Sequence, residues 1–362
     1  MLCEMALAVA VAGVVGGSPW WAPAFALAFA GLAPAVLRRR GRGACEWLAA
    51  AVSFRVRVRA GARRPDSGDD VFGVRGLRSY AYEDRGRRVV GMVGDGTFLT
   101  AVVRVEASGP GLRPAGGARE LPLSLLADAL EVDGVVLASA QVVQQVRQVQ
   151  QVRRTTPSGG GSPALRLTWV ALRLDPERCA EAVAARGGGL GGAQRCLVRA
   201  ADQVASRIAG AGLRAEVLDR EGLDSAVAAA IASDSAGGAD GAGAESSRMW
   251  RGGGLLHTTY LVAGAGAGAG AGSGGAPEGA VRLVSALPGR TATVGLTVRR
   301  SASRRAVEVS AHVRVSCRDE GELVAVRREW EQAAREARVG LVRLDREQLP
   351  GVLATLPLGG AR

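Results

Sequence analysis

The sequence predicts an α/β (α+β) cytoplasmic body made of two related units, preceded by an N-terminal two-helix transmembrane hairpin. Three observations predict it: a pair of apolar runs that closes on a cluster of arginines, strand patterns interleaved with helix patterns, and a six-residue motif that returns 126 positions later.

The hairpin comes first. Leu2 to Gly17 and Trp21 to Leu37 are two apolar runs, each near the short end of what crosses a bilayer. Ser18-Pro19-Trp20 breaks helix between them, and the Trp20-Trp21 pair suits a headgroup boundary where an indole N–H stays wet. A cleaved signal peptide fits less well, because Met1-Leu2-Cys3-Glu4 has no positive charge and the second run stops at Arg38-Arg39-Arg40-Gly41-Arg42. The turn is uncharged, whereas Arg38 to Arg64 holds nine arginines, so Arg38, Arg39, Arg40 and Arg42 set the orientation and everything after Leu37 is expected in the cytoplasm. Trp47, within Glu46-Trp47-Leu48, joins Trp20 and Trp21 as an interface candidate, and the segment through Arg59 is expected along the inner leaflet against anionic lipids.

The body follows. Arg88–Val93 and Phe98–Val105 flank Asp95-Gly96 and predict a β-hairpin. Leu121-Pro122-Leu123 opens a short helix. Val142, Gln144, Val146, Gln148 and Val152 alternate with period two and predict a strand, as does Leu165–Leu174. Asp175-Pro176 starts a helix; a longer helix from Gln194 to Ile208 precedes a strand near Leu213–Leu218. Leu218-Asp219-Arg220-Glu221-Gly222-Leu223 then reappears as Leu344-Asp345-Arg346-Glu347-Gln348-Leu349, behind a second strand (Ala306–Val315) and helix (Glu322–Ala337). In that helix Leu323, Val326, Trp330 and Ala334 form one apolar stripe.

The chain therefore divides into a hairpin over 1–37, an Arg-rich juxtamembrane segment over 38–74 and a first unit over 75–234. A Gly/Ala/Asp/Ser linker over 235–247 leads to a second unit over 248–357, with an Ala/Gly loop at 264–279 expected to be disordered and a tail at 358–362.

Composition removes several chemistries. The sequence has no lysine, so all 46 basic residues are arginine and the net charge of +12 rests on guanidinium groups. A Walker A loop and Schiff-base catalysis both need a lysine amine. With only His257 and His312, both in strand-like sequence, each is expected as a hydrogen-bonded structural group. The cysteines Cys3, Cys45, Cys179, Cys196 and Cys317 are scattered without a C-x-x-C pair and read as reduced thiols. Gly270–Gly275 matches G-x-G-x-x-G, but inside an Ala/Gly run followed by Pro277, where such a match is expected from composition alone. Glu83-Asp84 and Asp69-Asp70 read as solvated. No catalytic, cofactor-binding or metal-binding residue is expected.

In their order along the chain these features resemble the EccE membrane component of type VII secretion systems. The resemblance rests on the hairpin with Arg38–Arg42 and Glu46-Trp47-Leu48, on Val93-Gly94-Asp95-Gly96-Thr97, and on Leu121-Pro122-Leu123 with Val132-Asp133-Gly134 and Gln141-Val142-Val143. It continues through Arg186–Ala193 and Trp250–Tyr260. It implies a non-catalytic structural subunit at the periphery of a secretion channel in the bacterial inner membrane, multi-pass, with EccB, EccC and EccD as partners and EccC as the ATPase. It implies no cofactor, no small-molecule substrate and no specific nucleic acid. A membrane-tethered enzyme of another type and a basic lipid- or nucleic-acid-binding module are the competing readings, each of which would need chemistry or a binding face that the motifs do not supply.

Overall fold

The computed structural model describes residues 38–39, 42–63, 77–84, 86–106, 121–148, 164–231, 243–263, 279–281, 283–284, 291–301 and 307–360. Contacts divide the chain into two compact units, Met1–Arg64 and Pro65–Arg362.

In the first unit, strands β1 (Arg38–Arg39) and β2 (Arg42–Gly43) pair antiparallel and lead into helix α1 (Ala44–Arg63). The hairpin expected over 1–37 lies outside the described residues. Among the described residues no helix is long and apolar enough to cross a membrane. The 20-residue α1 has the length, but arginines break its apolar sequence from Arg55 onward.

The second unit is organised by one twelve-stranded sheet. Its first-half strands are β3 (Arg78–Glu83), β4 (Val89–Gly94), β5 (Leu99–Glu106), β8 (Ser139–Gln148), β9 (Ala164–Leu174) and β10 (Arg214–Val217), with the small ladder β6 (Glu131–Val132) and β7 (Val135–Val136) standing apart. The later strands are β11 (Ala244–Glu245), β12 (Trp250–Gly252), β13 (Leu255–Val262), β14 (Thr291–Arg300), β15 (Val307–Cys317) and β16 (Leu341–Arg343). The helices are α2 (Leu123–Asp128), α3 (Ala180–Ala185), α4 (Gly189–Gly210), α5 (Arg220–Ile231), α6 (Glu320–Glu336) and α7 (Gln348–Leu353).

Across the sheet the order is β11-β12-β13-β15-β14-β8-β9-β5-β4-β3, with β10 on β5 and β16 on β13. Read outward from the central β14–β8 pair, both halves show the same sequence of neighbours. The match extends to register: Arg214–Val217 lies on Val103–Glu106 as Leu341–Arg343 lies on Tyr260–Val262. After each short strand the recurring motif makes the same bond, Leu218 N–H to Val102 O and Leu344 N–H to Thr259 O.

One face of the sheet is apolar. Ala140, Val142, Val170, Leu172 and Val103 meet α4 through Ala193, Leu197, Ala200, Ala201, Val204 and Ile208, a three- and four-residue rhythm that turns one helical stripe inward. On the other half Val294, Leu296, Val313 and Val315 meet Leu323, Val326, Trp330 and Ala334 of α6, the stripe expected from the sequence. Asp319 starts α6 by accepting the Glu322 N–H at 2.7 Å, which satisfies one orphan donor of the first turn, while the Glu322 side chain accepts the N–H of Arg318, just before the cap.

The opposite face carries α5, α7 and the segment after α7. It mixes Trp169, Val227, Leu223 and Leu356 with buried polar side chains. Two expected boundaries change here. Ala244–Glu245, placed in the linker, forms strand β11, and Leu358–Gly360, placed in the tail, is buried against the sheet. Residues 264–278 of the expected Ala/Gly loop lie outside the described residues.

Candidate functional site

Of the residues singled out in the sequence, Arg38 and Arg39 sit on β1 and Arg42 on β2. Trp47 lies on α1, and Trp20, Trp21 and Arg40 fall outside the described residues. On α1 itself, Leu48, Val52 and Val56 are 51%, 60% and 61% exposed, while Ala50 is buried. Four-residue spacing puts the three exposed side chains on one side of the helix.

The sheet holds a second feature, which the sequence reading missed. Ser139, Gln141, Gln145 and Arg147 of β8 point away from α4 and α6, into a layer where burial demands partners. Gln141 supplies them to the end of the body: its Oε1 accepts the N–H groups of Gly359 and Gly360, each at 2.9 Å, and its Nε2 donates to Ala354 O at 2.7 Å. Ser139 Oγ donates to Gly359 O, Arg173 to Gly360 O and Thr100 Oγ1 to Leu358 O. The Arg173 guanidinium also lies 3.6 Å from the Phe98 ring centroid. Backbone space is as tight as the bonding. A Cβ on Gly295 would stand 2.5 Å from Ala354 O, and Gly359 and Gly360 hold φ of +81° and +84°, where side chains are strained. Residues 354–360 form a strap that makes local bonds of its own and is tied to the sheet by this cradle of side chains.

Beside the cradle, Arg147 of β8 donates to Ala229 O and Arg314 of β15 to Ala230 O, in the last turn of α5. Gln145 Nε2 adds a bond to Ala230 O at 3.2 Å. Helix ends leave carbonyls unpaired and carry partial negative charge, so two guanidiniums are well placed there. Arg314 is fully buried; its Nε and Nη1 have no hydrogen-bond partner, and burial, then the charge of Arg147, pulls its pKa down to about 9.

His257 is the structural group expected. Its Nδ1 meets Ser316 Oγ at 2.8 Å, its Nε2 meets Gly252 O at 3.0 Å, and its ring tilts against Trp250 at 5.1 Å. Burial, then Arg314, pushes its pKa down to about 3, so the imidazole is neutral at ordinary pH. Such a ring is out of reach of a substrate. Cys179 and Cys196 are buried thiols on neighbouring elements, and burial, then Cys196, raises Cys179 to about 11, which keeps it protonated and unreactive.

An open groove of about 1010 Å³ runs between α4 and β10. Its charged lining is engaged within the body: Arg88 pairs with Asp202, Arg104 with Glu216, and Asp219 accepts the Gly222 N–H. Among the described residues no group of three or more His, Cys, Asp or Glu side chains is placed to hold a metal ion.

Comparison with known proteins gives the class. Residues 162–262, which take in β9, α4, α5 and β13, match the profile of a family described as a type VII ESX secretion system translocon, EccE. Over 206 residues the chain is 32% identical to the ESX-1 secretion system protein EccE1 of Mycobacterium tuberculosis, in strain CDC 1551 / Oshkosh and equally in strain H37Rv. The match takes in 54% of this chain and 43% of those relatives, so the chain spans less than half of their length. The chain is thus related to components of type VII secretion systems. Both similarities point to the EccE family, the one that the order of its motifs resembles.

Proposed function

We propose that this chain is a non-catalytic structural subunit of a type VII secretion membrane complex, assembling at the channel periphery beside the EccB, EccC and EccD components. The observation that carries the reading is the similarity to EccE1 over 206 residues. In this reading residues 1–37 anchor the chain by two membrane passes, the arginines from Arg38 hold the body on the cytoplasmic side, and the two halves of the body are related units. The mirrored strand order around β14–β8 supports the last point. The chemistry supports a building role as well: without a lysine the chain has no Walker A loop, so the energy for transport comes from another subunit. Its buried polar side chains hold its own backbone.

The test is an affinity pull-down of the chain, at native expression, from detergent-solubilised membranes of a cell that makes the whole system. Recovery together with the channel and motor subunits is expected. Recovery of the chain alone would count against the proposal.

A further inference from the structure

Helix α1 leaves an apolar face open. Leu48, Val52 and Val56 are each more than half exposed, on a helix whose other side buries Ala50. At about 100° per residue, Arg59 falls in line with Leu48 and Arg55 just beside it. Both arginines are exposed. The helix holds Arg55, Arg57, Arg59 and Arg63 against one carboxylate, Glu46, and it follows closely on the apolar run that ends at Leu37.

A partner for this face must accept apolar side chains and arginine charge within one strip. An acidic bilayer surface does both, because its acyl boundary takes the aliphatic stripe while its headgroups meet guanidiniums on long stems. We propose that the Leu48–Val52–Val56 face of α1 docks on the surface of a bilayer rich in anionic phospholipid, with Arg55 and Arg59 reaching the headgroups. The proposal rests on the membrane association argued above and names the surface that makes it.

The experiment uses the full chain with Cys3 and Cys45 replaced by Ser, the buried Cys179, Cys196 and Cys317 kept, and a nitroxide attached at Val52→Cys, or at Val56→Cys as an independent site. A label at Ser53→Cys, on the polar side, is the control. The protein is reconstituted into vesicles of equal parts phosphatidylglycerol and phosphatidylcholine, or of phosphatidylcholine alone. In the anionic vesicles the labels at 52 and 56 should collide more with oxygen than with an aqueous nickel chelate, and the label at 53 the reverse. Substituting Arg55→Gln and Arg59→Gln should lower the lipid-contacting fraction about fivefold per arginine, the equivalent of about 1 kcal/mol each.

Free access of nickel to position 52 in both lipids would overturn the proposal, and so would shielding of that position from both reagents, which marks a protein cover. A pull-down of the same labelled variant, expressed in a cell that makes the whole system and recovered from its detergent-solubilised membranes, separates the two readings. If the secretion subunits still co-purify while position 52 is wet, only the lipid contact fails; if neither is seen, the proposed function fails with it.

Discussion

Strand β8 buries Ala140, Val142 and Val146 on one side of the sheet and Ser139, Gln141 and Gln145 on the other. The first side meets α4 and α6 mainly through apolar contact, with Tyr260 OH donating to Glu331 of α6, whereas on the second α5 and the 354–360 strap are fixed by side chains that name individual carbonyls and N–H groups. Both sides are buried, but they fail in different ways. An apolar layer loses stability in proportion to the volume removed and can partly collapse to recover it. A buried polar layer loses little when a pair is replaced cleanly and much when one partner is stranded. The apolar face therefore supplies stability, and the polar face decides which segment lies where.

The largest expected effect is on the apolar side. Trp330→Ala, which empties the biggest fully buried side chain under α6, should cost about 3–5 kcal/mol in chemical denaturation. A loss below about 1 kcal/mol would break the distinction between the faces.

Acid should act next, and on the polar side only. The folded pKa of His257, about 3, is below its unfolded value near 6.5, so the stability tied to the neutral ring is complete above about pH 6.5 and is lost as pH falls towards 3. The full loss is on the order of 4 kcal/mol. His257→Gln should be less stable at neutral pH but show a flatter acid limb; an unchanged limb would remove His257 from the account.

Gln141→Leu sharpens the comparison further. It strands the N–H groups of Gly359 and Gly360 and the carbonyl of Ala354, so a loss of about 2–3 kcal/mol is expected, with faster amide exchange confined to the strap. Exchange that quickens uniformly would show that the strap has no special dependence on this side chain.

The smallest effect should come from Arg314→Met. Removing the whole buried charge in favour of an apolar side chain ends an unpaired burden, and Gln145 still donates to Ala230 O, so stability should stay within about 1 kcal/mol of the original or rise. A loss above about 3 kcal/mol would mean that the guanidinium is a main fastener of α5.

Much of this architecture was legible from local pattern. The strand Leu165–Leu174, the α6 stripe and the Asp95-Gly96 turn were placed within a residue or two, because period and turn chemistry are written locally. Strand β14 was not read, and Gly295 in its middle is the reason: the glycine weakens the strand signal, and its cause is Ala354 O passing close by, far along the chain. The cradle was hidden for the same reason. Gln141 was read only within the Gln141-Val142-Val143 motif and Gln145 was not singled out, because their partners lie 85 to 219 positions away. The last three residues of the strap, Leu358–Gly360, were taken for a tail because Gly-Gly looks loose until the groups that hold it are known. Of the candidate site residues, the arginines of β1 and β2 fall in described structure and Trp20 and Trp21 do not.

The claim on which the rest depends is that this chain serves secretion by holding other subunits together. Native gel electrophoresis of solubilised membranes, with and without the chain, tests it most directly. The account predicts that the remaining subunits migrate as a smaller or fragmented complex and that secretion falls with it; a complex of unchanged size that secretes normally would contradict it.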